Sequence, residues 1–281
     1  MAPVAPEGPP TVNPESPRPP GRRRARAVGR RGGGLGLGVA TLYLSVAVVI
    51  PLAAVAIKSF SGGLSAFWTA ATSTLAVRAL VITLIASLIV AVIGAIMGTL
   101  VAWVLVRDSF PGQRFVGALI DLPFALPTIV AGLILIALYG PDSPVGVHLA
   151  YTRAAVVLAL LFVTLPFVVR SVQPVLMELD SEVEEAAASL GAGNATIFRR
   201  IVLPALTPAI VSGAALAFAR SVGEFGSLAL IAGKVQIASI VIYADIESGD
   251  YHAAAVLSVV LMFISLVVLV VLRRLGGRVA H

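Results

Sequence analysis

The sequence predicts an all-α polytopic membrane protein with six transmembrane helices. Of its 281 residues, 58% are hydrophobic and only 12% are charged, and the mean hydropathy is +1.00. A soluble domain of this size cannot bury so much apolar surface. Six apolar segments are long enough to cross a bilayer, and each must be helical because lipid offers no partner for an unpaired backbone amide.

The six apolar segments follow an amino-terminal region of different composition. Residues 1–34 are rich in Pro, Gly and Arg and lack apolar periodicity, so we expect a disordered, basic cytoplasmic tail. The first span, 35–57, is too long for the apolar region of a signal peptide and is expected to remain uncleaved. The later spans are predicted at about 75–106, 115–139, 154–172, 205–231 and 253–272, with a basic cytoplasmic end at 273–281.

The distribution of Lys and Arg predicts the orientation. With a cytoplasmic amino terminus, fifteen of them fall on the cytoplasmic side, and only Lys58, Arg78, Arg153 and Lys234 fall outside. Cytoplasmic loops normally carry this excess, so both termini are expected in the cytoplasm of a bacterial plasma (inner) membrane. The net charge of +6 is then a topology signal, and no nucleic acid partner is expected.

The longest polar interruption of the apolar pattern is residues 181–204, on the predicted cytoplasmic side. Ser181 and Glu184 have the spacing of a capping box. Gly191 can adopt the left-handed conformation that ends a helix, and Asn194 can cap a second short helix. We therefore expect a helix, a glycine turn and a second helix beside the membrane; an ordinary amphipathic loop is the alternative.

The fifth span contains two opposite charges, Arg220 and Glu224. A charged side chain in mid-membrane costs about 3 kcal/mol on insertion scales and therefore faces protein or water. At i, i+4 spacing the two can neutralise each other as a structural pair. Alternatively, this face lines a translocation path, in which the arginine attracts an anion, or the pair acts as a gate. The candidate residues here are Arg220, Ser221, Gly223, Glu224, Phe225, Gly226 and Ser227.

The third span contains two prolines four residues apart, Pro123 and Pro127, which are expected to bend the helix near its start. Asp121 is interpreted as an acid at the helix start, where the helix dipole favours it. Irregular backbone at membrane depth is tolerated where protein or a water-filled cavity covers it. Pro127 and Thr128 are therefore added to the candidate path.

Small residues in the second and fifth spans, among them Gly94, Gly98, Gly213 and Ala217, are expected to allow close helix packing. Other chemistry is sparse. The sequence has no cysteine, its three histidines lack metal-ligand spacing, and it has no phosphate-binding Gly-rich loop. We expect no metal, no cofactor and no catalytic residue in this chain, and therefore a protein that is not itself an enzyme.

The polar segment also carries a family resemblance. Glu185-Ala186-Ala187, followed by Gly191 and then by Ile201-x-Leu203-Pro204, resembles the "EAA" signature of permease subunits of bacterial ABC importers. The resemblance implies the type I ABC importer permease fold over residues 75–272. It also implies a coupling helix that docks into a cytoplasmic ATPase, which binds ATP and Mg itself. The implied coupling residues are Glu184, Glu185, Ala186, Ala187, Gly191, Ile201, Leu203 and Pro204.

Three further stretches, 121–132, 165–176 and 220–233, are similar to the T-type permease subunit of the sulfate/thiosulfate branch. This similarity implies half of a translocation path for sulfate or thiosulfate. The implied partners are a homologous W-type permease, two ABC ATPase subunits, an extracytoplasmic sulfate-binding protein and membrane lipid. The loop 140–153 is shorter than usual in this branch, and Lys234 stands where asparagine is frequent.

The resemblance implies alternating access, in which ATP binding draws the coupling helices together and switches the open side of the path. A same-family permease for molybdate or another oxyanion is an alternative reading of the sequence. A stand-alone secondary transporter is a more remote one, because no convincing internal repeat is present.

Overall fold

The structure is a computed structural model that describes residues 33–279. The predicted disordered tail lies outside these residues, except for residues 33 and 34, which begin the first helix. Every regular element within the described range is helical, so the all-α prediction is confirmed. The chain divides into two compact units, residues 1–49 and residues 50–281.

The described part of the smaller unit is a helix without a core. Helix α1 covers Gly33–Leu44, and a π-helical turn follows at Ser45–Val49. From Gly38 onward its side chains are exposed, apart from the half-buried Ser45. Exposed apolar side chains on a helix are typical of a segment that lies in lipid. The first apolar span, Gly38–Ser59, takes residues from both units.

The larger unit contains a bundle of long helices joined by shorter ones. The helices at Gly63–Ala71 (α3) and Ala238–Glu247 (α12) were not predicted, because 9 and 10 residues are too few to cross a membrane. The helices of this unit are α2 (Ile50–Ser59), α3 (Gly63–Ala71), α4 (Thr74–Arg107), α5 (Gln113–Ala125), α6 (Thr128–Tyr139), α7 (Arg153–Glu178), α8 (Ser181–Ser189), α9 (Asn194–Ile197, continued by a π-helical turn to Val202), α10 (Leu203–Val222), α11 (Gly226–Ile231), α12 (Ala238–Glu247) and α13 (Tyr251–Val279).

Five stretches of helix among the described residues are long and apolar enough to cross a membrane, and α5 with α6 would make a sixth span. The third predicted span, 115–139, is broken into two helices, and the helix axis turns by 117° between α5 and α6. Leu126 adopts an extended backbone (φ −85°, ψ 135°). A residue that precedes proline is disfavoured in the helical region. Pro127 therefore keeps Leu126 extended, and α5 ends at Ala125. The break is central and sharp, whereas a bend near the start was expected.

The last helix is longer than predicted. Helix α13 continues to Val279, through most of the segment 273–281 that was assigned to a separate basic end. Arginine and leucine favour helix, and basic residues are favourable near a helix carboxyl terminus, so the apolar span continues as helix beyond the predicted boundary.

The centre of the bundle is the contact of α4, α7 and α10 around Val168, which is fully buried. A Cβ added at Gly98 of α4 would lie 2.7 Å from the Val168 Cβ, and one added at Gly213 of α10 would lie 2.8 Å from the Val168 Cα. Larger residues would force the three backbones apart. The close packing expected at these glycines is confirmed.

The bundle has two ends, which we name by their loops. At the loop end, residues 179–202 join α7 to α10, and the Gln113 side chain donates to the carbonyl of Leu105 at 2.7 Å. At the opposite end lie the starts of α4 and α7 and the turn between α11 and α12, which line one cavity together. The loop end holds the predicted coupling residues, and the broken helices carry the predicted path residues.

Candidate coupling surface and translocation path

The segment 181–197, which we call the hairpin, folds as two short helices around a glycine turn. Gly191 has φ +86°, as predicted. Its amide donates to the Ala188 carbonyl at 2.9 Å, and the amide of Ala192 donates to the Ala187 carbonyl at 3.1 Å. These two bonds form a Schellman motif, which satisfies carbonyl groups at the helix end. The turn therefore requires a residue that tolerates positive φ.

Both predicted amino-terminal caps in this segment are wrong by one residue. Asp180 caps α8, because its carboxylate accepts from the Glu182 amide at 2.9 Å, and Ser181 is the first helical residue. Gly193 precedes α9, and Asn194 is that helix's first residue. In each case the residue before the predicted cap already has the extended backbone that a cap requires.

Glu184 pairs within the chain. It contacts the Arg107 guanidinium at the end of α4, and the two side chains are 21% and 25% exposed. Arg107 also stacks over Trp103, 5.6 Å from the ring centroid, and Trp103 meets Phe198 edge to face at 5.5 Å. These contacts attach α8 to the bundle, and they remove Glu184 from the capping box that the sequence suggested.

The remaining predicted coupling residues lie partly on the hairpin and partly in the π-helical turn and α10 that follow it. Ala187 packs against the core cluster that contains Ile197 and Val202. Glu185, Ala186 and Gly191 are exposed, and Leu190 at the tip is 89% exposed. Farther along, Ile201 is half-buried, whereas Leu203 and Pro204 are exposed. The hairpin thus presents the carboxylates of Glu182 and Glu185 and the apolar side chains of Val183 and Leu190 to its surroundings.

The fifth predicted span is interrupted at the candidate path. A single helix over 205–231 is wrong, because α10 ends at Val222 and α11 begins at Gly226. The Glu224 carboxylate accepts from the Ser227 amide at 2.9 Å and from the Ser227 hydroxyl at 3.0 Å. An amide in the first turn of a helix has no intrahelical partner, so Glu224 stabilises the start of α11.

Arg220 and Glu224 form the predicted ion pair, with Arg220 Nη1 at 2.6 Å from Glu224 Oε2. The arginine side chain is 33% exposed, whereas the glutamate side chain is 1% exposed. The Glu224 carbonyl accepts from the Ser239 hydroxyl at 2.7 Å. A buried carboxylate with several donors anchors the break between α10 and α11, and the arginine balances its charge.

The other candidate path residues have different environments. Ser221 and Ser227 are buried in this arrangement. Gly223 is exposed, and Phe225 is half-buried with its ring 5.0 Å from that of Tyr243. The charged group of this region that is partly accessible is therefore the Arg220 guanidinium, since the Glu224 side chain is buried.

The two helix breaks meet inside the bundle. A Cβ added at Gly226 would collide with the Thr128 hydroxyl and lie 3.0 Å from the Ile129 amide nitrogen. The start of α6, after Pro127, therefore lies directly against the start of α11. The structure brings together path candidates that are about 100 positions apart in the sequence.

The contact between α6 and α11 is tight enough to test. A Cβ at Gly132 would lie 2.6 Å from the Ser227 carbonyl oxygen. We expect Gly132→Ala to destabilise the protein by about 1–3 kcal/mol, because overpacking forces backbone shifts. Gly117→Ala on α5 is the matched control, since a Cβ there meets nothing within 4 Å. Thermal unfolding of both variants in detergent measures the difference; equal midpoints would refute the tight contact.

A second ion pair joins α5 to α7. Arg170 Nε donates to Asp121 at 2.7 Å, and Arg170 Nη1 donates to Gln173 at 2.6 Å. The interpretation of Asp121 as a helix-start acid is wrong, since α5 begins eight residues earlier, at Gln113. The sequence contained a signal for this ion pair. Asp121 and Arg170 lie in two predicted apolar spans, where each charge needs a partner of opposite sign.

The opposite end carries a carboxylate cluster on and after α12. Burial raises the pKa of Asp245, and the nearby charge of Asp250 raises it further. A hydrogen bond from Tyr243 to Glu247 raises the pKa of the tyrosine. The acidic cluster and the basic residues Arg78, Arg153 and Lys234 therefore give this end groups of both signs.

Comparison with known proteins places this geometry in a family. Residues 92–281 match the model of the binding-protein-dependent transport system inner membrane component. The chain is 45% identical, over 86% of its length and 90% of the relative's, to the sulfate transport system permease protein CysT of Synechocystis sp.. It is 39% identical to the protein of the same name from Escherichia coli, over 87% and 92% of the two chains.

A solved structure shows the same fold. The bacterial alginate ABC transporter, in complex with its alginate pentasaccharide-bound periplasmic protein, contains a chain that superimposes with a TM-score of 0.75. The match covers 89% of this chain and 95% of that chain at 16% sequence identity. At this identity the likeness establishes the permease fold alone.

Apolar spans, an exposed helical hairpin at one end and two helix breaks that meet in the bundle define a multi-pass membrane permease. The sequence comparisons then assign the family. The chain belongs to the inner membrane components of binding-protein-dependent transport systems. It is a permease subunit of an ABC importer with the type I fold, and the family predicted from the "EAA" signature is confirmed.

Proposed function

We propose that this permease forms half of the translocation path for sulfate and thiosulfate. The observation that supports the substrate is the similarity to sulfate permeases along most of both chains, 45% identity over 257 residues in the relative from Synechocystis sp.. Motifs around Asp121, Arg170 and Arg220 carried the same resemblance in the sequence. All three residues are engaged in ion pairs.

The proposed assembly contains four kinds of subunit. This chain would pair with a homologous W-type permease, with two ABC ATPase subunits at the loop end and an extracytoplasmic binding protein at the opposite end. ATP and Mg would be bound, and ATP hydrolysed, by the ATPase subunits. A stand-alone transporter is not proposed, because the family consists of components of binding-protein-dependent systems.

The proposed orientation follows from the charge asymmetry. Both termini and the hairpin would be cytoplasmic, because the predicted cytoplasmic side holds fifteen of the basic residues and the other side four. Arg107 and Arg114 flank the loop end, whereas Arg78 and Arg153 lie near the starts of α4 and α7 at the opposite end. An ATPase would then reach the exposed residues Glu185 and Leu190.

The mechanism would transmit force through the hairpin. ATP binding can shift the permease only by favouring one arrangement of the complex over another. The hairpin continues into α10 through a π-helical turn at Phe198–Val202, and α10 leads to the Arg220–Glu224 pair. Movement of the hairpin would thus reach the helix break that lies against α6.

Uptake of labelled sulfate tests the function. The chain and its three kinds of partner are expressed in a strain that lacks its own sulfate importer, with an ATPase-inactive partner as the control. We expect sulfate uptake that unlabelled thiosulfate inhibits more strongly than molybdate or phosphate. If molybdate is the stronger competitor and is itself accumulated, the sulfate assignment is wrong and the molybdate alternative holds.

A further inference from the structure

A groove at the opposite end of the bundle combines a cationic rim with an apolar floor. It lies between the first halves of α4 and α7, next to the turn 233–236, and encloses about 700 Å³. Arg78, Arg153 and Lys234 line its rim, together with the polar side chains of Tyr151 and Gln236. The floor consists of Val81, Ile82, Ile85, Ile89, Val156 and Val157.

The three cations of the rim have no partner within the described part of the chain. Their side chains are exposed, and none of them takes part in the ion pairs or side-chain hydrogen bonds of residues 33–279. No carboxylate lines the groove. By contrast, Arg107, Arg170 and Arg220 are each paired with an acid. Three unpaired positive charges at one mouth attract an anion.

The floor excludes a small anion as the whole ligand. Arg78 and Ile89 both line the groove, and their separation along α4 corresponds to a rise of about 16 Å. This distance is about half of the ~30 Å hydrocarbon core of a bilayer. Ile85 and Ile89 are 54% and 42% exposed, so an inorganic anion at the rim would leave the apolar floor uncovered.

We propose that this groove binds an anionic phospholipid of the adjacent leaflet. The head group lies among Arg78, Arg153 and Lys234, and one acyl chain follows α4 past Ile85 to Ile89. Each basic residue near a membrane surface contributes about 1 kcal/mol to the attraction of anionic lipid. The bound lipid would connect the starts of α4 and α7 with the turn 233–236. This proposal does not depend on which ion is transported.

Lipid titration of the purified complex tests the proposal. Native mass spectrometry of the full complex in detergent compares phosphatidylglycerol with phosphatidylcholine of the same acyl chains. We expect phosphatidylglycerol to bind and the zwitterionic lipid to bind at least tenfold more weakly. The triple variant R78Q/R153Q/K234Q should bind phosphatidylglycerol about 100-fold more weakly, whereas R78K/R153K/K234R should retain binding.

Two controls separate this site from a general charge effect. Lys58→Gln removes an exposed cation that does not line the groove, and binding should be unchanged. Ile85→Trp fills the floor without changing the charge, and it should weaken binding as well. Equal binding of both lipids, or unchanged binding in the triple glutamine variant, would overturn the proposal.

The same complex distinguishes the lipid from two other possible occupants of the groove, the second permease and a free anion. Because the chain has no cysteine, Ile85→Cys gives a single labelling site. Cross-linking of this cysteine to the second permease would show that protein covers the groove, and displacement of phosphatidylglycerol by millimolar sulfate would show a free-anion site. Either result refutes the lipid proposal, while sulfate uptake remains a separate measurement.

Discussion

Gly191→Pro is expected to abolish sulfate uptake while leaving the permease in the membrane. Proline fixes φ near −65° and has no amide hydrogen, whereas Gly191 has φ +86° and donates to the Ala188 carbonyl. The hairpin turn cannot form with proline, so the surface proposed to contact the ATPase is lost. Uptake should fall to background, and stimulation of ATP hydrolysis by the binding protein should disappear.

Gly193→Pro is the matched control for this substitution. Gly193 already has φ −73°, a Cβ there meets nothing within 4 Å, and its carbonyl, which accepts from the Thr196 amide, is retained. This variant should keep most of the uptake. If both proline variants transport sulfate at the normal rate, the hairpin is not the coupling element.

A charge reversal on the exposed face gives the same test without altering the backbone. Glu185→Lys should reduce uptake strongly if Glu185 contacts a basic residue of the ATPase, as the family resemblance implies. Glu182→Lys changes the same charge on another exposed residue of α8 and should have a much smaller effect. Similar losses in both variants would indicate a general charge effect on the helix instead of a specific contact.

Arg220→Ala is expected to lower uptake chiefly by leaving the Glu224 carboxylate buried without its counter-charge. Removing one partner of a buried pair costs about 3–5 kcal/mol. We expect roughly 2–3 kcal/mol here, because the Arg220 side chain is 33% exposed and the pair is therefore only partly desolvated. Thermal unfolding in detergent and sulfate uptake are measured together.

A second substitution separates structure from substrate binding. In R220A/E224Q the charge is removed from both partners, while the glutamine oxygen can still accept from Ser227, as Glu224 does at 2.9 Å. We expect both stability and uptake to recover, which would identify a structural pair. Recovery of stability without uptake would instead show that Arg220 contacts the anion. Arg114→Ala, at an exposed arginine, should change neither quantity.

Features that depend on neighbours in the sequence could be predicted. The conformation of Gly191 follows from the helix formers before it, and the Arg220–Glu224 pair follows from i, i+4 spacing. The six apolar segments were visible for the same reason, since hydropathy is a local average. The predicted caps of α8 and α9 were each wrong by one residue. Two adjacent residues are acceptable caps in both cases, Asp180 and Ser181 for α8 and Gly193 and Asn194 for α9.

Features that depend on distant contacts could not be predicted. Arg107 and Glu184 are 77 positions apart, and Asp121 and Arg170 are 49 positions apart. The break between α10 and α11 depends on the hydrogen bonds of Glu224 with Ser227 and Ser239. The hydropathy of residues 205–231 indicates one continuous apolar segment and carries no sign of this break. Similarly, the two prolines of the third span predicted a bend, but its angle and position depend on how α6 packs on α11.

The junction at Val168 has a consequence for the alternating-access mechanism that we propose. Close-packed cores resist continuous deformation. Gly98 and Gly213 pack directly against Val168, so α4, α7 and α10 have no room to move relative to one another. We therefore expect this trio to tilt as a single rigid block, with the flexing confined to its borders with other subunits. A movement of the hairpin at one end of this block would then move the starts of α4 and α7 at the opposite end, because the helices between them do not bend.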